Sequence, residues 1–399
     1  MRLVIGGPAS KEVMATSPRR SVRLESGQAY REQSPTLPPF DGPDPLSDSV
    51  PSFTELEIGC GKFLPSTRNL KQAGTVAQCD ITNTVAYEIA PTAPMSRTMA
   101  NDGFSDDEQW TRAIGDGLTL RATERPDSQL LDHFFAGYDR AFVLPDERET
   151  VEGFRACLAI NPASRHRFGR VHRELVMTVD DAEGVLLGGA NFLATCIGEN
   201  VAGHPPVAVA LNYVFVEPAS RGRGLARRLR DEVGRLANIA VCAPAQAPPP
   251  ALFIEQNDPL RLTDTEYAAD TAHAGIDQVD RLAIWARLGA QLIDFAYVQP
   301  ALSADQDSDD GLAYAVMNVR GDGLDPAYLR AHLESFFGIS VMKGGEPEAD
   351  PVAGAQLHAL ETRLYPVKLL PMLPAVEALR SVPARPQGIS LRAFARALT

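Results

Sequence analysis

Residues Asn212 to Ala226 read N-Y-V-F-V-E-P-A-S-R-G-R-G-L-A, and this stretch decides the fold. Its first half is apolar and β-branched, which predicts a strand stopped by Pro218. Arg221, Gly222, Arg223 and Gly224 then form a short basic turn, and a helix starts inside it at Leu225 and Ala226. The first turn of a helix has N–H groups without intrahelical partners and the positive end of the dipole. The glycines leave room for an anion to approach those donors, and Arg221, Arg223 and Arg227 add charge. A pyrophosphate suits such a turn. A plain solvated helix start suits it too, and these residues alone leave both readings open.

Outward from this stretch the chain alternates between strand and helix patterns. Upstream, LTLRAT from Leu118 alternates as a strand. SQLLDHFFAGYDRAF and ERETVEGFRACLAI read as helices separated by Leu144 and Pro145. RELVMTVDD and GVLLGGANFLATC form a strand pair around an Asp-Asp-Ala-Glu-Gly turn. VAVALNYVFVEP is one further long strand. Downstream, Leu225, Leu229, Val233 and Leu236 recur at helical spacing and predict an amphipathic helix. After the break at APAQAPPP come a buried strand, ALFIEQND, a helix, DQVDRLAIWARLGA, and the strands QLIDFAYVQP and GLAYAVMNV.

Arg221, Gly224 and Ala226 form an R-x-x-G-x-A pattern after a V-x-P strand end. It resembles the acetyl-CoA-binding motif of the GNAT superfamily of N-acetyltransferases. W-A-R-L-G-A (285–290) is similar to that family's Y-x-x-x-G-F signature, and the element order over 118–320 matches as well. The resemblance implies an α/β (α+β) fold: a mixed, splayed β-sheet flanked by helices. In it the fourth and fifth strands part and the pantetheine arm of acetyl-CoA lies between them. It places main-chain groups of Tyr213, Phe215 and Val216 on the pantetheine amides, as an added strand pairs with a sheet edge. It places the residues from Arg221 to Ala226 on the pyrophosphate, and Asn257 near the pantetheine. A main-chain N–H near Val214 or Phe215 would face the thioester oxygen. Trp285 departs from the pattern, since it stands where the family often has a thiolate-protonating Tyr. An indole N–H is no general acid at neutral pH, so Trp285 is expected to pack on the cofactor, with Tyr297 or water as the acid.

The implied activity is acetyl transfer to an amine by direct attack in a ternary complex. The alternative is an acyl-CoA-binding regulatory or scaffold protein that has lost turnover. An alkylamine with a pKa near 10.4 is almost wholly protonated at pH 7, a deficit of about 4–5 kcal/mol for the reactive form. A base, a water relay or a desolvating pocket must therefore assist. Glu255 in F-I-E-Q-N is the leading candidate, because a carboxylate in an apolar strand is costly unless it is partnered or faces a cleft. Glu217, His204 and Asp294 are weaker candidates. Residues 258–280 read as a long acidic connection whose Asp264, Glu266, Asp270, Asp277 and Asp280 suit either a cationic acceptor or plain solvent.

The rest of the chain is less legible. Residues 1–52, rich in Pro, Ser and Gly, read as a largely disordered arm. Residues 53–117 read as a small β-containing segment and linker, and 321–399 as a helical extension able to cover the acceptor face or form a homodimer surface. E-L-E-I-G-C-G-K (55–62), with Asp80, resembles the first motif of class I methyltransferases that use S-adenosylmethionine, although the stretch before 118 is short for such a domain. The chain has 399 residues and a net charge of −13, which argues against a nucleic-acid partner. It has no run of about 18 apolar residues to span a membrane. The five scattered cysteines form no C-x-x-C pair, so no metal site is expected, and they fit a reducing cytoplasm.

Overall fold

The long strand expected before the glycine turn spans Val207–Val216 (β6), and its pleat organises the molecule. Val207, Val209 and Leu211 point into one hydrophobic cluster, while Ala208 and Ala210 point into another on the opposite face. Beyond Asn212 the parity reverses: Val214 and Val216 join the first cluster, and Phe215 joins a third beneath the first two helices. The ladder to the preceding strand pairs Phe192 with Leu211 but Asn191 with Tyr213, so Asn212 is an extra residue in β6. Strand side chains alternate with period two, so one extra residue flips the faces of all that follow.

The computed structural model describes residues 2–4, 110–142, 148–161, 168–198, 203–241, 243, 246–303 and 306–399. These belong to one unit formed by Met1–Lys11 and Ser96–Thr399. The methyltransferase-like motif at 55–62 and Asp80 lie outside the described residues. So does the arm at 1–52, except for Arg2–Val4, which form a short strand (β1).

One mixed sheet runs through the described chain. Its antiparallel half consists of β2 (Trp110–Gly115), β3 (Leu118–Thr123), β4 (His172–Asp180) and β5 (Leu186–Cys196), in that order up to β6. Beyond β6 come β7 (Ala251–Asn257), β9 (Leu312–Met317), β8 (Gln291–Ile293), β11 (Val367–Pro371) and β10 (Gly323–Leu324). β6 and β7 run parallel, as do β1 and β6. Helices α1 (Gln129–Ala141) and α2 (Val151–Ala159) cover one face, together with α6 (Pro326–Phe336) and α7 (Pro351–Glu361). The other face carries α3 (Leu225–Ala240), α5 (Gln278–Arg287), α8 (Met372–Ser381) and α9 (Leu391–Arg396). This is the mixed, splayed, helix-flanked sheet that the sequence leads one to expect. The four α3 residues picked by spacing, Leu225, Leu229, Val233 and Leu236, are all buried. Each contributes about 1.5–3 kcal/mol of burial.

Three expectations change. Residues 110–115, read as linker, form β2, because Trp110, Arg112 and their neighbours pair along β3. The 258–280 connection contains α4 (Asp264–Ala274), started by a reciprocal Thr263–Glu266 capping box. The extension from 321 is mainly helical as expected, but it also donates β10 and β11 to the sheet, β11 pairing with β8.

Candidate active site

β6 and β7 are paired only over Ala208–Ala210 and Ala251–Phe253. From Ile254 to Asn257, β7 pairs with β9 alone. The edge of β6 facing β7 is therefore released just where Asn212 inserts. A bulge bends its strand and interrupts pairing, which is how the split arises. The released edge is competent to pair, since Arg2, Leu3 and Val4 lie in parallel register with Tyr213, Val214 and Phe215.

At its far end β6 leads through Glu217 and Pro218 into the glycine turn. Gly222 and Gly224 both hold φ near +74°, a region open to glycine, and a Cβ built on either would meet nothing within 4 Å. Gly224 caps α3 without a side-chain acceptor. Among the described residues the amides of Gly222, Arg223, Gly224, Leu225 and Ala226 have no acceptor. Arg223 is exposed, whereas the Leu225 side chain is in the core, so Leu225 offers only its N–H. Partial burial lowers the Arg221 pKa, against the opposing pull of Glu217.

On the α1/α2/α6 side of the split lies a cavity of about 40 Å³. One water needs roughly 10–15 Å³ on this measure, so the cavity takes an ammonium-sized group rather than a whole substrate. Glu255 from β7 lines it, 3% exposed. The Tyr297 hydroxyl and Gln299 Nε2 (3.4 Å) both donate to Glu255. Burial, and then the charge of Glu255, push the Tyr297 phenol well above its ordinary pKa. Glu255 and Tyr297 are thus brought together, although no spacing in the sequence links them.

Glu174 on β4, 1% exposed, lines the same cavity and is not among the residues expected from the sequence. Its Oε1 accepts from Asn191 Nδ2 (2.7 Å) and Asn212 Nδ2 (2.9 Å), and its Oε2 from Ser340 Oγ (2.8 Å). Burial raises its pKa to about 7 against those stabilising bonds. Ser340 lies in a π-helical turn, Phe337–Val341, that continues α6, so the C-terminal region builds one wall of the site. Single π turns inside helices occur often at functional sites. The rule that selected Glu255, a charged residue inside an apolar strand, would have selected Glu174 as well.

Other candidates lie elsewhere. Asn257 ends β7 and is 7% exposed, paired with Leu312. Trp285 is 2% exposed within the α3/α5/α8 core, where its ring is enclosed by side chains rather than presented to a cofactor. His204 accepts from Asp325 N (3.0 Å), Glu217 pairs with Arg140 (2.5 Å), and Asp294 pairs with Arg396. The acidic side chains of 258–280 serve structure: Asp270 bridges Arg281, Asp264 bridges Arg385, Asp280 bridges Arg380, and Asp277 caps α5. A larger hollow of about 450 Å³, lined by Arg230, Asn238 and Leu252, sits at the paired end of β6 and β7, away from the split. Among the described residues no group of three His, Cys, Asp or Glu is placed to hold a metal, and no helix is long and apolar enough to cross a membrane.

No family model and no curated relative matches the chain. Solved structures do. The ribosomal-protein-S18-alanine N-acetyltransferase from Escherichia coli aligns at 15% identity over 52% of this chain and 96% of its own, with a TM-score of 0.28. A phosphinothricin N-acetyltransferase, itself assigned only provisionally, aligns at 15% over 51% and 99%, TM-score 0.28. A mutant of the spermidine N-acetyltransferase from Vibrio cholerae aligns at 12% over 51% and 94%, TM-score 0.28. Strand order, register and the split stand independently of these matches.

Proposed function

We propose that the protein is an acetyl-CoA-dependent N-acetyltransferase acting on a small-molecule or peptide amine by direct attack in a ternary complex. The observation that carries this reading is the parting of β6 from β7 after Ala210 and Phe253, with the freed edge leading straight into the Gly222–Gly224 turn. An extended ligand with amides along its length and a pyrophosphate at one end fits both parts together. Main-chain groups of Tyr213, Phe215 and Val216 serve the first, and the amides from Gly222 to Ala226, with Arg221 and Arg223, serve the second.

Bound there, acetyl-CoA supplies an activated acetyl thioester. A main-chain N–H at Val214 or Phe215 stabilises charge developing on the thioester oxygen. The cavity receives the acceptor's amine from the α2/α6 side, and Glu255, held by Tyr297 and Gln299, helps to anchor it. A phenol raised well above its ordinary pKa is a weak proton donor, so Tyr297 acts here mainly by orienting Glu255.

A second reading, an acyl-CoA-binding protein without turnover, is favoured by one observation: Trp285 is enclosed in the core where the resemblance calls for a thiolate-protonating Tyr. Thiol release on adding an amine separates the two.

Calorimetric titration of acetyl-CoA tests the site, with Arg221→Glu/Gly224→Glu and the exposed Arg223→Glu as variants. Micromolar binding weakened by both supports it. No binding by the unaltered protein removes the reading.

A further inference from the structure

We infer that Glu174 is the carboxylate that receives the acceptor's ammonium and takes its first proton, with Ser340 and the two asparagines holding it in place; this rests on the transferase reading above. A carboxylate offers about four acceptor positions. Asn191, Asn212 and Ser340 fill three, which leaves one for a donor from the cavity. Asn212 Oδ1, on a residue 8% exposed that lines the same cavity, has no hydrogen-bond partner. A buried carbonyl oxygen without a donor is costly, and a cationic N–H donor would relieve it. Glu174 and Asn212 thus present acceptors to a space the size of an ammonium group, beside the point where β6 and β7 part.

The surrounding charges agree. Glu149, Cys157, Tyr213 and Glu255 line the cavity with Glu174. The nearby cation, Lys343, is engaged by Glu149 (2.8 Å) and by the Leu302 carbonyl (2.9 Å). His172 lies two residues away on the same strand and is fully buried. Glu255 is already engaged by Tyr297 and Gln299. The pKa of Glu174, raised to about 7 by burial, suits a base working near neutrality.

The ammonium gives one proton to Glu174. The freed lone pair forms the C–N bond to the acetyl carbon, the C–S bond breaks, and sulfur leaves with that electron pair. The nitrogen's second surplus proton goes to the thiolate, and Glu174 returns its own to water.

The test compares the wild-type protein with Glu174→Gln, using acetyl-CoA and two probes, ethylamine and trifluoroethylamine. The fluorines make the second amine neutral at pH 7, so it needs no base. Gln keeps an oxygen for the asparagines, and Ser340 can rotate to accept from its amide. For ethylamine at pH 7, Glu174→Gln should lower kcat by roughly 10²–10⁴-fold, and the limb near neutrality should give way to a rate that keeps climbing toward the amine's own pKa. Turnover of trifluoroethylamine and the affinity for acetyl-CoA should stay near wild type. Equal losses for both amines, or an acidic limb that stays near neutrality, overturn the assignment. So does acetyl-CoA binding by the wild-type protein without transfer to either amine, an outcome that leaves the cofactor site standing. Absence of acetyl-CoA binding by the wild-type protein removes the transferase reading itself. Should Glu174→Gln not fold, Ser340→Ala keeps the carboxylate but removes one donor. It is expected to move the acidic limb to higher pH, and an unmoved limb overturns the assignment.

Discussion

Leu3 lies opposite Val214 in parallel register, flanked by Arg2 against Tyr213 and Val4 against Phe215. The chain's own first strand thereby occupies the edge of β6 proposed for the pantetheine amides. Two extended partners cannot use one set of main-chain groups at once.

Leu3→Pro should therefore tighten acetyl-CoA binding. Proline removes an N–H and is poorly tolerated inside a ladder. If β1 is docked nine-tenths of the time, apparent affinity is reduced about tenfold, and the variant recovers that factor. Calorimetry on the two full-length proteins reads it. Identical dissociation constants would mean that strand and cofactor do not share this edge.

Asp270 and Arg281 form a 2.5 Å ion pair whose side chains are 6% and 3% exposed, which ties α4 to α5. Removing one partner of a buried pair leaves an uncompensated charge, so Asp270→Ala should cost about 3–5 kcal/mol. Asp264→Ala, which breaks the more exposed pair with Arg385, should cost less than about 1 kcal/mol. Urea unfolding distinguishes them. Equal and small losses would return 258–280 to the long, solvated acidic connection that its composition suggested.

That segment shows where the sequence is and is not legible. The helix α3 was readable because Leu225, Leu229, Val233 and Leu236 repeat at one period and all face one core. Asp280 and Asp264 looked solvated because their partners, Arg380 and Arg385, lie about a hundred residues away in the chain. Asn212 was unreadable as a bulge because VALNYVFV is apolar on either side of it, so neither parity is marked. Glu174, a carboxylate inside the apolar RELVMTV, is as visible as Glu255, but its three donors come from β5, β6 and the π turn after α6, so the site they build is not legible in the sequence. The Glu255 position was found because a lone carboxylate in an apolar strand is visible without knowing its partner.

The stability contributed by Glu174 and Asp258 should fall as pH rises from about 4 to 7, against an opposite contribution from His332, whose pKa burial lowers to about 3. Glu174 is raised from its usual 4.5 to about 7 and Asp258 from 3.8 to about 6, both chiefly by burial. Between those values the folded state binds more protons than the unfolded one, so the free energy of unfolding decreases with pH. The stability present below the unfolded pKa values is lost as pH passes through the folded ones. Glu174→Gln should flatten the curve, with a wild-type-minus-variant difference changing on the order of 3 kcal/mol from pH 4 to 8. Denaturant titrations at several pH values check this, and parallel curves would show that folding does not raise the Glu174 pKa.

Deleting Asn212 offers the most direct test of how the split arises. With that residue gone, Leu211 would be followed by Tyr213, and the faces would alternate without a break: Leu211 toward the α3 core, Tyr213 away, Val214 toward it, Phe215 away. The pairs Phe192–Leu211 and Asn191–Tyr213 would become consecutive rungs of a regular ladder. The deletion variant should therefore fold, with native far-UV circular dichroism and a Tm lowered by a few degrees for the hydrogen bonds Asn212 makes. A straightened β6 would lie closer to β7 beyond Ala210, however, and the edge proposed for acetyl-CoA would close. Binding should weaken at least about tenfold, or about 1.4 kcal/mol, in a protein that remains folded. A folded deletion variant that binds acetyl-CoA as tightly as the unaltered chain would show that the split does not depend on the bulge.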